Sequence, residues 1–121
     1  MRAGAAMTSP FQPGAIVIVY LREPRERVCG MLLSLDVVGI ALAGMDVGSF
    51  QDWLRARVTR SDEIAASHMF YPMARVERVL MDEGTVDVPG LDAQCVTVTG
   101  RTMRENLSDE TRASSTQECA S

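Results

Sequence analysis

The first apolar segment of the chain predicts a strand pair. Gly14 precedes the run 15–21, which is rich in Ile and Val and too short for a typical helix, so a buried strand is expected there. The charged segment 22–26 contains Pro24, which cannot donate to a strand ladder, and therefore predicts a turn. The next apolar stretch, 27–36, is expected to return as the second strand of a hairpin.

Glycines mark the next two features of the pattern. Gly30 interrupts the second strand, and an isolated glycine in a strand often marks a sharp bend in a small barrel. Residues 37–39 predict a tight connection into a third strand of small side chains over 40–45. Three strands in meander order are therefore expected.

The pattern changes to helical spacing over an expected insertion at 46–67. Ser49 and Asp52 have the spacing of a capping box, which predicts a helix start. One apolar face follows at helical intervals and consists of Phe50, Trp53, Leu54 and Val58. Residues 61–67 are polar and predict a loop.

The remaining chain predicts two strands and a partly helical end. Apolar residues over 68–71, a corner at Pro72 and a half-buried pattern over 75–82 predict strands four and five. In the extension 85–107, residues 92–95 favour a short helix although the β-branched run 96–99 opposes it. A second capping box, Thr102 to Glu105, predicts a helical turn ending near Leu107.

These elements predict a mainly β chain with a single domain. The expected boundaries are a flexible arm over 1–13, a barrel over 14–84 with its insertion, the extension 85–107, and a disordered tail over 108–121 whose composition lacks core-forming residues. With 121 residues, 46% of them hydrophobic and 23% charged, the chain has the size and composition of one soluble domain.

Composition also narrows the class of function. The apolar runs are too short to cross a membrane, and no secretory signal is recognisable, so a cytoplasmic location is expected. The three cysteines, Cys29, Cys95 and Cys119, are odd in number and unclustered, which suits a reducing compartment. His68 is the only histidine and has no neighbouring ligand, so neither a metal nor another cofactor is expected.

Catalytic patterns are missing from the sequence. It has no Ser/His/Asp order, no glycine-rich phosphate loop and no HExxH motif, which predicts a protein that is not an enzyme. The adjacent acids Asp82 and Glu83 point to opposite faces if the strand continues, and are interpreted as a solvated strand end.

The charge balance weighs against strong nucleic-acid binding. The net charge is −4 and every basic residue is an arginine, whereas binding to phosphates usually needs a positive patch. A local positive patch that binds nucleic acid stays open as an alternative. The best candidate is Trp53 with Arg55, Arg57 and Arg60, which could stack a base and hold phosphates. The competing interpretation is that Trp53 packs in the core.

The sequence 30–36, GMLLSLD, resembles the Sm1 pattern of the Sm-like family, in which a strand glycine precedes an acid at the end of the second strand. The sequence 69–79 resembles the Sm2 region, with an aromatic strand end at Tyr71, a tight corner and a final strand. The resemblance covers about residues 14 to 83. It implies a small five-stranded Sm-like (SH3-like) barrel, with Gly30, Asp36 and Tyr71 in structural roles, Asp36 stabilising a turn.

The resemblance also implies a homo-oligomeric ring that binds RNA and acts in post-transcriptional regulation, as in the Hfq-like proteins. Two departures bear on that expectation. The Hfq-like corner pair of Lys and His is here Pro72 and Met73, and the positions after the acid are Val37 and Val38, none of which offers a side-chain donor to RNA. Two hypotheses therefore stay open: a ring that binds RNA through a non-standard surface, and a protein-interaction or scaffold module that kept the barrel and does not bind RNA.

Overall fold

The computed structural model describes residues 9–61 and 64–110. Its strands are β1 (Ile16–Leu21), β2 (Glu26–Leu35), β3 (Gly39–Asp46), β4 (Ser67–Pro72) and β5 (Val76–Met81). Its helices are α1 (Phe50–Thr59), α2 (Leu91–Thr99) and α3, which includes residues 103–110. Short 3₁₀ turns at Val47–Ser49 and Met73–Arg75 precede α1 and β5. No helix in this described part is long and apolar enough to span a membrane.

The five strands form one antiparallel sheet in the order β4-β3-β2-β1-β5, so the expected mainly β architecture is confirmed. The sheet is open, because its edge strands β4 and β5 do not pair with each other. The expectation of a closed barrel is therefore wrong. β4 and β5 are the two edges of the sheet, and the 3₁₀ turn at Met73–Arg75 joins them. Met73 N donates to Val38 O at 2.9 Å and Arg75 O accepts from Arg22 N at 2.9 Å, which attaches the turn to the other hairpins.

One face of the sheet encloses the first core. Alternate residues of β1 point into it, and side chains from both edge strands reach the same cluster, so the sheet curves around it. We call this face the inner face. Its buried members are Val17, Val19, Leu21, Val28, Leu32, Ile40, Leu42 and Val76, with Phe11, Met69, Tyr71, Val79 and Met81 packed beside them.

Two glycines lie opposite each other in the pairing of β2 with β3. Gly30 and Gly44 are directly paired in the register, and a Cβ on Gly30 would overlap the backbone oxygen of Ala43 and lie 2.6 Å from the Gly44 Cα. A Cβ on Gly44 would overlap the backbone oxygen of Cys29. This close backbone approach explains the requirement for glycine at position 30. The matching requirement at Gly44 was not predicted from the sequence.

The opposite face of the sheet, here the outer face, is covered by the helices. The expected insertion between β3 and β4 supplies α1, and the C-terminal extension supplies α2 and α3 beside it. Together they bury a second cluster made of Cys29, Met45, Phe50, Trp53, Leu54, Cys95, Met103 and Leu107. The insertion and the extension therefore act as one helical layer, which explains why β1 is apolar at nearly every position.

Carboxylates position the helices of this layer. Asp82 accepts hydrogen bonds from Leu91 N at 2.7 Å and Asp92 N at 2.9 Å, and Asp92 accepts one from Met103 N at 2.8 Å. A carboxylate at a helix N-terminus satisfies free N–H groups and complements the helix dipole. The interpretation of Asp82 as a solvated strand end is therefore wrong. These caps and the burial of Cys95 offset the poor helix propensity of residues 96–99.

The two predicted capping boxes have different outcomes. Thr102 N donates to Glu105 Oε1 at 2.9 Å and Glu105 N donates to Thr102 Oγ1 at 3.1 Å, which confirms the second box. The first is wrong, because Ser49 already has helical dihedral angles and makes no side-chain cap. Asp46 instead accepts from Gly48 N at 2.9 Å and starts the preceding 3₁₀ turn.

The ends of the chain differ partly from expectation. The helix expected to end near Leu107 continues through residue 110, so residues 108–110 of the expected disordered tail are helical. The reason is tertiary, since Glu110 makes contacts with α1 that are described below. Residues 111–121 and most of the expected arm, 1–8, lie outside the described residues, whereas Phe11 packs against the inner core.

Burial of two thiols predicts a loss of stability at alkaline pH. Desolvation, reinforced by nearby carboxylates, raises the pKa of Cys29 and of Cys95 from 9.0 to about 12. The folded state therefore holds these thiol protons more tightly than the unfolded state. Their contribution to stability is complete below pH 9 and is lost as the pH rises toward 12. We expect the free energy of unfolding to fall by about 1 kcal/mol per thiol between pH 8 and pH 10.

Urea denaturation at the two pH values measures this loss. The Cys29→Ala/Cys95→Ala protein provides the control, because it removes both buried thiols and keeps every other ionisable group of the chain. An equal decrease in the control would contradict the assignment of the effect to the thiols.

Candidate functional site

The proposed base-stacking residue is buried. Trp53 lies on the face of α1 that contacts the sheet and is 0% exposed, with its ring centroid 6.0 Å from that of Phe50. Its Nε1 donates to Glu110 Oε2 at 3.3 Å. The core-packing interpretation of Trp53 is thus the one that the structure supports, and the ring is not accessible to a base.

The Glu110 carboxylate links several parts of the helical layer. Besides the Trp53 indole, it accepts from Ala66 N at 2.9 Å and forms an ion pair with Arg57 at 3.4 Å. Both side chains of that pair are 14% exposed. Arg57 also donates to Ser61 O at 3.4 Å. The Arg57–Glu110 pair therefore joins α1 to α3, Glu110 joins both to the segment before β4, and one terminal nitrogen of the Arg57 guanidinium is engaged within the protein.

The other two arginines of the proposed RNA cluster lie at the surface in different surroundings. Arg55 is exposed and pairs with Asp52 one turn earlier in α1. Arg60 ends the helix in the left-handed conformation, with φ 58° and ψ 36°. Arg57 and Arg60 line a groove with Arg101, whereas Arg55 lines a separate hollow with Thr59. The structure does not combine a stacking ring with the three guanidinium groups.

The residues expected to have structural roles occupy such positions. Asp36 Oδ1 accepts from Val38 N at 2.9 Å and from Gly39 N at 3.3 Å, the hydrogen bonds of a turn-stabilising acid. Tyr71 is half-buried beside the inner core, where burial raises its hydroxyl pKa and Glu26 adds to the effect. Arg75 lies over the Tyr71 ring at 5.8 Å from its centroid.

The loop positions that depart from the Hfq-like pattern lie close together. Val37 and Val38, at the tip of the β2–β3 turn, are 91% and 67% exposed. The corner at Pro72 and Met73 touches this turn through the hydrogen bond from Met73 N to Val38 O. The tip therefore offers apolar side chains and no side-chain hydrogen-bond donor.

Both edges of the sheet are unpaired within the described residues. β4 pairs only with β3, and β5 pairs only with β1. Each edge carries an exposed apolar side chain, Phe70 on β4 at 54% and Leu80 on β5 at 41%. Free edges of this kind can accept a strand from another chain.

A second surface was not predicted from the sequence. It is a cleft of about 660 Å³ on the outer face, beyond the helical layer, where Tyr20 lies between Arg27 and Arg78. Hairpin register around the turn 22–25 would have placed Arg27 opposite Tyr20. The contribution of Arg78 depends on the pairing of β5 with β1, which no local pattern indicates.

Comparisons with protein-family models, curated proteins and solved structures gave no match to this chain.

Proposed function

We propose that this chain is an Sm-like, non-enzymatic module that assembles with copies of itself into a ring and serves as a protein scaffold. The observation that carries the proposal is that β4 and β5, each with an exposed apolar side chain, are edges left unpaired by the residues that the structure describes. Pairing β4 of one copy with β5 of the next would cover both edges, and a repeated contact of this type closes into a ring when the rotation allows it.

Three features of the sheet support the Sm-like assignment. The strands follow a meander from β1 to β4, and β5 returns to pair with β1. Gly30 allows β2 to approach β3 closely, and Asp36 hydrogen-bonds the turn that follows β2. These are the positions on which the sequence resemblance rests.

The scaffold role is favoured over RNA binding through α1. Trp53 is inside the helical layer and Arg57 is paired with Glu110, so two of the four proposed RNA-binding residues are engaged in the fold. The exposed apolar tip at Val37 and Val38 suits a protein contact better than a phosphate contact.

The assembly is tested by replacing the exposed apolar residues of the edges. Light scattering coupled to size-exclusion chromatography should give a molar mass of several chains for the unmodified protein at micromolar concentration. The Phe70→Glu/Leu80→Glu protein should elute as a monomer, because burying two carboxylates at an interface is unfavourable. The fold of the single chain should be nearly as stable as before, since both side chains are partly exposed in it. Any larger decrease in melting temperature should come from the loss of assembly.

Val96→Glu is the matched control for this experiment. Val96 is 45% exposed but lies on α2, which is not part of the sheet, so the molar mass should stay that of the unmodified protein. A strict monomer before any substitution would refute the proposed ring. Assembly that survives the double change would place the contact elsewhere on the chain and contradict the edge-pairing mechanism.

A further inference from the structure

Three neighbouring strands bring two guanidinium groups to one aromatic ring. Tyr20 of β1 is paired in the register with Arg27 of β2 on one side and with Arg78 of β5 on the other. The two guanidinium carbons lie 6.0 Å and 4.4 Å from the centroid of the Tyr20 ring. The Cα atoms of the two arginines are two strand spacings apart, roughly 10 Å, and both side chains reach toward the ring on the strand between them.

These guanidinium groups have no carboxylate partner among the residues that the structure describes. The ion pairs found there involve Arg55, Arg57, Arg75 and Arg101. Glu26, the acid next to Arg27, is paired with Arg75 at 3.3 Å. Two like charges at one ring repel each other, and an anion that pairs with both would relieve that repulsion.

The cleft around the ring holds groups of both signs. Arg25 adds a third guanidinium group to its lining, while Glu26, Asp46 and Glu77 contribute carboxylates, and Gly48 forms part of the wall. A volume of about 660 Å³ is in the range of small-molecule sites and exceeds what a bare phosphate ion would fill. A ligand that matches this lining has an anionic group, an aromatic surface and hydrogen-bond donors for the carboxylates.

We infer that the cleft formed by Tyr20, Arg27 and Arg78 binds a free mononucleotide. Its phosphate pairs with the Arg27 and Arg78 guanidinium groups beside the Tyr20 ring, and its base and ribose direct N–H and O–H donors toward Asp46 and Glu77. A free nucleotide is favoured over a nucleic-acid strand because the chain carries a net charge of −4, which opposes a long polyanion much more than a single phosphate. This inference does not depend on the proposed ring, since one chain supplies every residue of the cleft.

Isothermal titration calorimetry with AMP, GMP, CMP and UMP, at low ionic strength, tests the site. At least one nucleotide should bind the unmodified protein. Arg27→Gln/Arg78→Gln should weaken that binding at least tenfold, because glutamine keeps the polar side chain but removes the charge. Arg55→Gln/Arg60→Gln, which removes two exposed guanidinium groups of α1 outside the cleft, should leave the dissociation constant within twofold.

Three competitors define the ligand class. Inorganic phosphate should compete at least tenfold more weakly than the nucleotide, and a twelve-residue single-stranded RNA or a polyglutamate peptide should not displace it at equal phosphate or carboxylate concentration. The inference is overturned if no nucleotide binds at millimolar concentration, if the cleft variant binds normally, or if any competitor binds the cleft as tightly as the nucleotide does. Circular dichroism and molar mass are measured for each variant, so that a change in folding or assembly is recognised separately from a lost site.

Discussion

Gly30→Val is expected to destabilise the protein by at least about 3 kcal/mol, a large part of the 5–15 kcal/mol typical of a domain. The physical reason is that the first atom of any side chain at position 30 would occupy the space of the Ala43 backbone oxygen. A backbone atom cannot rotate away as a side-chain end can. Relief requires β2 and β3 to separate around the Gly30 and Gly44 pair, at the centre of the sheet. Urea denaturation followed by circular dichroism measures the loss.

Two further variants test this explanation. Gly30→Ala should cost nearly as much as Gly30→Val, because the overlap begins at Cβ. Gly48→Ala adds the same atom in a 3₁₀ turn where the nearest neighbour is Asp46 Oδ2, at 2.9 Å, the end of a side chain that can move. It should change stability by less than about 1 kcal/mol. If Gly30→Ala were as mild as Gly48→Ala, the two strands would not approach as closely as described.

Local patterns were sufficient to predict the strands. The β-branched run in β1, the proline turn after it and the glycine in β2 each indicate their element through short-range sequence, and all five strands lie close to the expected positions. The helix of the insertion was likewise indicated by the spacing of Phe50, Trp53 and Leu54, but Val58, expected on the same face, is exposed, and Ala56 is buried instead. Such patterns show which face of an element is apolar, and they do so reliably when the element packs against a core on one face only.

The remaining features depend on contacts between distant parts of the chain. Asp82 became a helix cap only because α2 begins beside the end of β5, nine residues later. Glu110 lies in a segment whose composition indicates disorder, yet it hydrogen-bonds Trp53, 57 residues away. The cleft at Tyr20 requires the return of β5 to β1. None of these partners can be identified from spacing, because each is fixed by tertiary packing.

Trp53→Ala is expected to cost about 3–5 kcal/mol, the usual range for removing a large aromatic side chain from a core. The ring is fully buried between α1 and the sheet, and its Nε1–H satisfies the Glu110 carboxylate that also holds Arg57. Its removal would leave a cavity and loosen the contact between α1 and α3. Because this tryptophan is the only one in the chain, the loss is measured by circular dichroism rather than by fluorescence, as a lower urea midpoint.

Two substitutions in α1 separate packing from base stacking. Trp53→Phe keeps an aromatic ring but removes the indole donor, and should cost about 1–2 kcal/mol, the range for a lost hydrogen bond to a charged group together with a smaller ring. Val58→Ala, at a position that is 53% exposed in the same helix, should change stability by no more than about 0.5 kcal/mol. A base-stacking tryptophan would behave in the opposite way. Its replacement by alanine would leave the urea midpoint unchanged and weaken RNA binding, and that result would refute the buried position of Trp53 and restore α1 as the RNA surface.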